Sequence, residues 1–140
     1  MGLDNYAARG PDRELQNGEL DFCSDKDLEA MGFEPLTDDD IEAFKQADIH
    51  LCGGVLSGAE GSFRGKVYVL LVLDITGESL YQEWIPPERV KKMYEALMKC
   101  DPKTAVERDY VYDLKESTII NLRKFFKVCA ELNLGLAGWS

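Results

Sequence analysis

The chain has 140 residues, 45% of them hydrophobic and 30% charged, with a formal net charge of −10. That length sets a single domain able to bury a core without staples, and the composition is globular. The charge opposes sequence-independent binding to nucleic acid or anionic membrane, and the longest apolar run, the seven residues from Val67 to Leu73, is far short of the ~20 a spanning helix needs.

The opening segment, residues 1–21, has no clear hydrophobic period and carries turn signals at Gly10-Pro11 and Asn17-Gly18. It reads as a loosely structured acidic arm that packs lightly or pairs at a sheet edge. It shows neither a secretory leader nor a myristoylation pattern, which makes a soluble cytoplasmic protein the expectation. A short helix follows in "SDKDLEAMG", with Ser24 as N-cap, Asp25 and Asp27 in the first turn and Gly32 as the stop. "TDDDIEAFKQ" predicts a firmer helix over 38–47, capped by Thr37. Asp38, Asp39 and Asp40 are explained there by the helix dipole, without a metal.

Residues 49–58 read as a short strand leading into a glycine-rich loop. Five of the 12 glycines lie between Gly53 and Gly65. "KVYVLLVLDIT" then reads as the central strand of the sheet, Val67–Ile75, buried on both faces. A turn through Gly77 leads to Leu80, Trp84 and Ile85, which need burial. Pro86-Pro87 opens a helix over 87–100, whose stripe is Val90, Met93, Tyr94, Leu97 and Met98. Asp101-Pro102 ends it. "VERDYVYDL" reads as a short strand or extended connector. A helix over 117–133 is expected to start at Ser117 and stop at Gly135, with Ile119, Leu122, Phe126 and Cys129 on one face. The apolar end "LGLAGWS" should tuck Leu136 or Trp139 onto the body. These elements make an α+β fold: one small domain, with a mostly buried central strand in a short sheet packed by three or more helices.

The glycine loop resembles a phosphate loop only superficially. A P-loop places glycine five positions before its Gly-Lys and a hydroxyl after it, between a strand and a helix. Aligned on Gly65-Lys66, those positions hold Glu60 and Val67, and the reading above puts a strand after the loop. Ser57, Ser62, Arg64, Lys66 and nearby amides remain a candidate anion nest. The alternative is that the glycines only shape the chain.

His50-x-Cys52 lacks the paired cysteines of a zinc site, and an EF-hand alignment from Asp25 puts Ala30 and Leu36 where glycine and glutamate are required. No metal or other cofactor is therefore expected. His50 is the only histidine, so any Cys–His dyad must use it, with Cys23, Cys100 or Cys129. The four cysteines read as reduced thiols. Glu83 and Glu88 are not separable from ordinary surface acids.

All the net charge lies in residues 1–48, which hold 14 acids and 4 bases, whereas residues 49–140 balance. The leading expectation is a non-enzymatic interaction or regulatory protein, with Asp38, Asp39 and Asp40 facing a basic protein partner. The alternative is a small-molecule or anion-binding protein, conceivably an enzyme, centred on the loop at residues 53–66.

Overall fold

The computed structural model describes residues 3–16, 18–20, 24–52, 61–107 and 112–139. A four-stranded antiparallel sheet carries six α-helices, an α+β domain. The strands are β1 (Asp4–Ala8), β2 (Ser62–Phe63), β3 (Trp84–Ile85) and β4 (Gly135–Trp139), in spatial order β2-β1-β4-β3. The helices are α1 (Asp25–Ala30), α2 (Asp38–Gln46), α3 (Val69–Thr76), α4 (Pro87–Lys99), α5 (Pro102–Ala105) and α6 (Glu116–Leu132). None of the described helices is long and apolar enough to cross a membrane.

The early segment is no loose arm over Asp4–Ala8. It is an interior strand, paired with β4 from Asp4↔Trp139 to Ala8↔Gly135 and with β2 at Asn5↔Phe63 and Tyr6↔Ser62. β4 in turn pairs with β3 through Trp84↔Ala137 and Ile85↔Leu136, and Leu136 is fully buried. Asn17 of the expected turn lies outside the described residues. Gly18 has φ 82°, and Glu19 N–H donates to Gln16 carbonyl at 3.0 Å.

The expected central strand Val67–Ile75 is not a strand. Gly65–Val67 form a 3₁₀ turn and Val69–Thr76 form α3, which Gly77 stops in the left-handed conformation at φ 78°. The run is also not buried all round: Leu71 and Val72 are in the core, while Leu70 and Leu73 are 45% and 40% exposed. A short run of β-branched and γ-branched residues fits either geometry, and here tertiary packing decides.

The capped helices follow their local chemistry. Ser24 and Thr37 each accept from the amide three residues on, and Asp27 and Asp40 return the bond to the cap amides. α4 buries Val90, Met93 and Leu97 but leaves Met98 half exposed. α6 begins one residue before Ser117, where the Lys115 amide donates to Thr118 Oγ1. It ends at Asn133 in the left-handed region, φ 55°, two residues before the expected Gly135. Asparagine tolerates that conformation through its short polar side chain, which frees Gly135 to begin β4. Residues 49–52 hold no strand, and residues 108–111 of the other expected connector are outside the described set.

The core joins α6 to everything else. Phe125 meets Phe63 of β2 at 4.9 Å, Phe44 of α2 at 5.1 Å and Phe126 at 6.0 Å between ring centroids. α4 packs along α6, with α3 against α4. A buried polar group pins the sheet into this core. Asn5 is 1% exposed, and its Nδ2 donates to the Leu80 carbonyl at 2.9 Å and the Ala137 carbonyl at 3.5 Å.

Candidate functional site

The two glycines flanking β2 are there for architecture. Gly61 has φ 86°, a conformation other residues adopt only under strain. Gly65 does not, but a Cβ added to it would stand 1.6 Å from Asn5 Oδ1. The backbone therefore passes directly against the asparagine that anchors the sheet.

Of the four anion-site candidates, Ser57 lies outside the described residues. Ser62 is buried in β2, Arg64 is half-buried and Lys66 is exposed. A helix does follow the loop after all, so one of the three objections to a P-loop falls. The other two stand: Glu60 in place of glycine and Val67 in place of the hydroxyl.

The cysteines and the histidine are set apart. His50 is exposed, with Nε2 3.0 Å from Asp48 Oδ1, and the amide of exposed Cys52 donates to Tyr68 Oη at 2.8 Å. Burial pushes the Tyr68 hydroxyl up to about 12, so it is a structural acceptor at neutral pH. Cys100 Sγ donates to the Leu97 carbonyl at 3.2 Å, and burial pushes the Cys129 thiol far above its ordinary range, leaving it inert. Among the described residues, no three of His, Cys, Asp and Glu gather at metal-binding range.

The acidic third divides by burial. Asp40 is only 4% exposed and is taken up internally: Oδ1 accepts from Arg9 at 2.7 Å and Oδ2 from the Thr37 amide at 2.9 Å. It is not available to a partner. Burial raises its pKa, but these hydrogen bonds and the Arg9 charge outweigh burial and hold it below its ordinary 3.8. Asp38 and Asp39 are exposed at the start of α2.

Sequence reasoning did not find the concave surface beside α1. Leu28, Phe33 and Pro35 line a groove of about 360 Å³ rimmed by Asp25, Glu29 and Glu34. No family model matches this chain, and neither a curated protein nor a solved structure shows significant similarity to it. The groove is therefore read from its own chemistry. All three rim carboxylates belong to exposed residues, and none is ion-paired among the described residues. A second hollow of about 340 Å³ begins on the other flank of Glu34-Pro35, where Leu36 meets Ala7 and Ala8 of β1. Glu34 itself is held to the sheet, its amide donating to the Arg9 carbonyl at 2.8 Å. Phe33 is fixed edge-on against Trp84 at 4.8 Å, and Trp84 Nε1 donates to the Pro11 carbonyl at 3.1 Å. The groove floor is thus tied to the sheet. A composition scan sees only acids and a proline here, because the apolar residues are brought together by the Arg9↔Glu34 bridge.

A second ion pair braces the opposite edge. Glu78 receives Arg89 through Nε and Nη2, both at 2.6 Å. The Arg89 hydrogen bonds hold Glu78 below its ordinary 4.5, against a smaller opposing effect of burial. Both Asp40 and Glu78 are depressed in the folded state, so their stabilisation is complete above the unfolded values and lost as pH falls through the folded ones. The melting temperature should therefore decline once pH drops below about 4. Glu78→Gln should flatten part of that decline, as measured by thermal melts from pH 7 to pH 2.5.

Proposed function

We propose that this protein is an interaction module that docks a basic partner segment carrying an apolar anchor, using the groove between α1 and residues 33–36. The observation that supports this is one surface with an apolar floor (Leu28, Phe33, Pro35) and three unpaired carboxylates on its rim (Asp25, Glu29, Glu34). Lysine or arginine suits the rim and a leucine-sized side chain suits the floor. The two parts do different work. Exposed ion pairs contribute only about 0–1 kcal/mol each, so the rim supplies attraction, orientation and salt dependence. Burying one large aliphatic side chain contributes about 2 kcal/mol. Asp38 and Asp39, next in the chain, extend the attractive field without lining the groove.

A fluorescent synthetic peptide with lysines around a single leucine tests this by anisotropy. We expect a dissociation constant of about 0.1–1 mM at low salt. Binding should fade toward ~1 M salt, where the screening length is only about 3 Å. Asp25→Lys combined with Glu29→Lys should abolish it. Asp38→Lys combined with Asp39→Lys should weaken it only modestly. The reverse order of effects would move the docking surface to the start of α2 and refute the groove.

A further inference from the structure

Trp84 also lines another cavity, of about 220 Å³, together with Glu14, Leu15, Gln16, Gln82, Glu83 and Arg89. Its hydrogen-bonding capacity is unevenly spent. The Arg89 donors are occupied: Nε and Nη2 by Glu78, Nη2 also by Gln82 Oε1 at 2.5 Å, and Nη1 by Glu14 Oε1 at 3.2 Å. The side-chain amide of Gln82 donates to the Ser79 carbonyl at 2.9 Å. Glu83 is different. Its Oε1 accepts from the Gly18 amide at 3.3 Å, while Oε2 is buried and has no hydrogen-bond partner among the described residues. A buried carboxylate oxygen left unpaired is costly unless something donates to it.

We propose that this cavity receives a single primary ammonium group on a short alkyl stem, with Glu83 as its counter-ion. Four observations narrow the ligand. The charges around the cavity are three carboxylates, Glu14, Glu78 and Glu83, against one guanidinium, Arg89, so an anion is disfavoured. Arg89 has no donor left to hold one. The cavity lies below the ~300–1,000 Å³ of drug-sized sites, which suits one side-chain-sized group. Glu83 offers one open oxygen and not two, so it suits the point charge of an ammonium better than the bidentate fork of a guanidinium. A calcium ion would need six or more oxygens, and Gln82 Oε1 is already committed. Leu15 and Trp84 provide the apolar wall for the stem.

The ammonium can come from a free amine or from a partner's lysine, and the site does not depend on the docking groove. The test is an NMR titration of the full chain with n-butylammonium chloride, followed at the Trp84 indole N–H and the Gly18 amide. Saturable shifts are expected, and Glu83→Gln, which keeps size and the Oε1 acceptor, should weaken binding about tenfold or more, equivalent to about 1.4 kcal/mol. Methylguanidinium should bind more weakly and neutral n-butanol should not compete. Shifts reproduced by sodium chloride, equal binding of n-butanol, or unchanged affinity in Glu83→Gln would each overturn the proposal. The n-butanol comparison uses the unaltered chain and so does not depend on the variant's folding. Asp25→Lys with Glu29→Lys should leave n-butylammonium binding intact, which separates this site from the groove. If the lysine–leucine peptide also weakens on Glu83→Gln, the ammonium is a partner's lysine. If it does not, a free amine is the ligand.

Discussion

Gly65→Ala is expected to destabilise the protein by about 3–5 kcal/mol, from overpacking and the loss of a buried hydrogen bond together. The added methyl would stand 1.6 Å from Asn5 Oδ1, so one group must move. Asn5 cannot retreat freely, because its Nδ2 holds the Leu80 carbonyl. Moving it would strip a buried carbonyl of its donor and disturb an interior strand. Gly61→Ala should cost less, about 1–2 kcal/mol, because its penalty is backbone strain at positive φ and not a collision with a buried side chain. Urea denaturation of both variants gives the ranking. Asn5→Ala in the Gly65→Ala background should be less destabilising than the sum of the single changes by more than about 0.5 kcal/mol. Strict additivity would show that the close approach carries no energy.

Phe125→Ala should cost a further about 3–5 kcal/mol when made alone, the usual range for deleting a buried ring. Phe125 is 1% exposed and touches rings from α2, β2 and its own helix. Its loss should therefore loosen α2 against α6. Phe44→Ala should couple to it, the double variant falling short of the sum by more than about 0.5 kcal/mol. Equal urea midpoints for Phe125→Ala and the unaltered chain would contradict this account of the core.

The helices were legible because their signals are local. Two capping boxes, a Pro-Pro start and repeated apolar stripes mark α1, α2, α4 and α6 within a few residues of one another. The sheet was not. β1 reads Asp-Asn-Tyr-Ala-Ala and β4 reads Gly-Leu-Ala-Gly-Trp, residues mostly poor in strand propensity. They are strands because of what they fit against. A Cβ on Gly135 would lie 2.4 Å from the Trp84 ring, and one on Gly138 would lie 2.5 Å from the Gln82 carbonyl. Small residues are required where β3 and its approach crowd β4. The most apolar segment then took the strand reading that belonged to β1 and β4, and it is a helix. At the candidate sites, the sequence located the acidic third but not its use. Asp40 is absorbed by Arg9 and Thr37, while the groove depends on Phe33 and Pro35, which carry no motif.

Mapping the lysine–leucine peptide by amide chemical shifts on the full chain tests the docking claim most directly. The account predicts that the largest shifts fall on Leu28, Phe33, Glu34 and Leu36, and that they fade together as salt rises. Largest shifts at Arg64 and Lys66, or shifts spread evenly over exposed carboxylates with Leu28 and Phe33 unmoved, would contradict it.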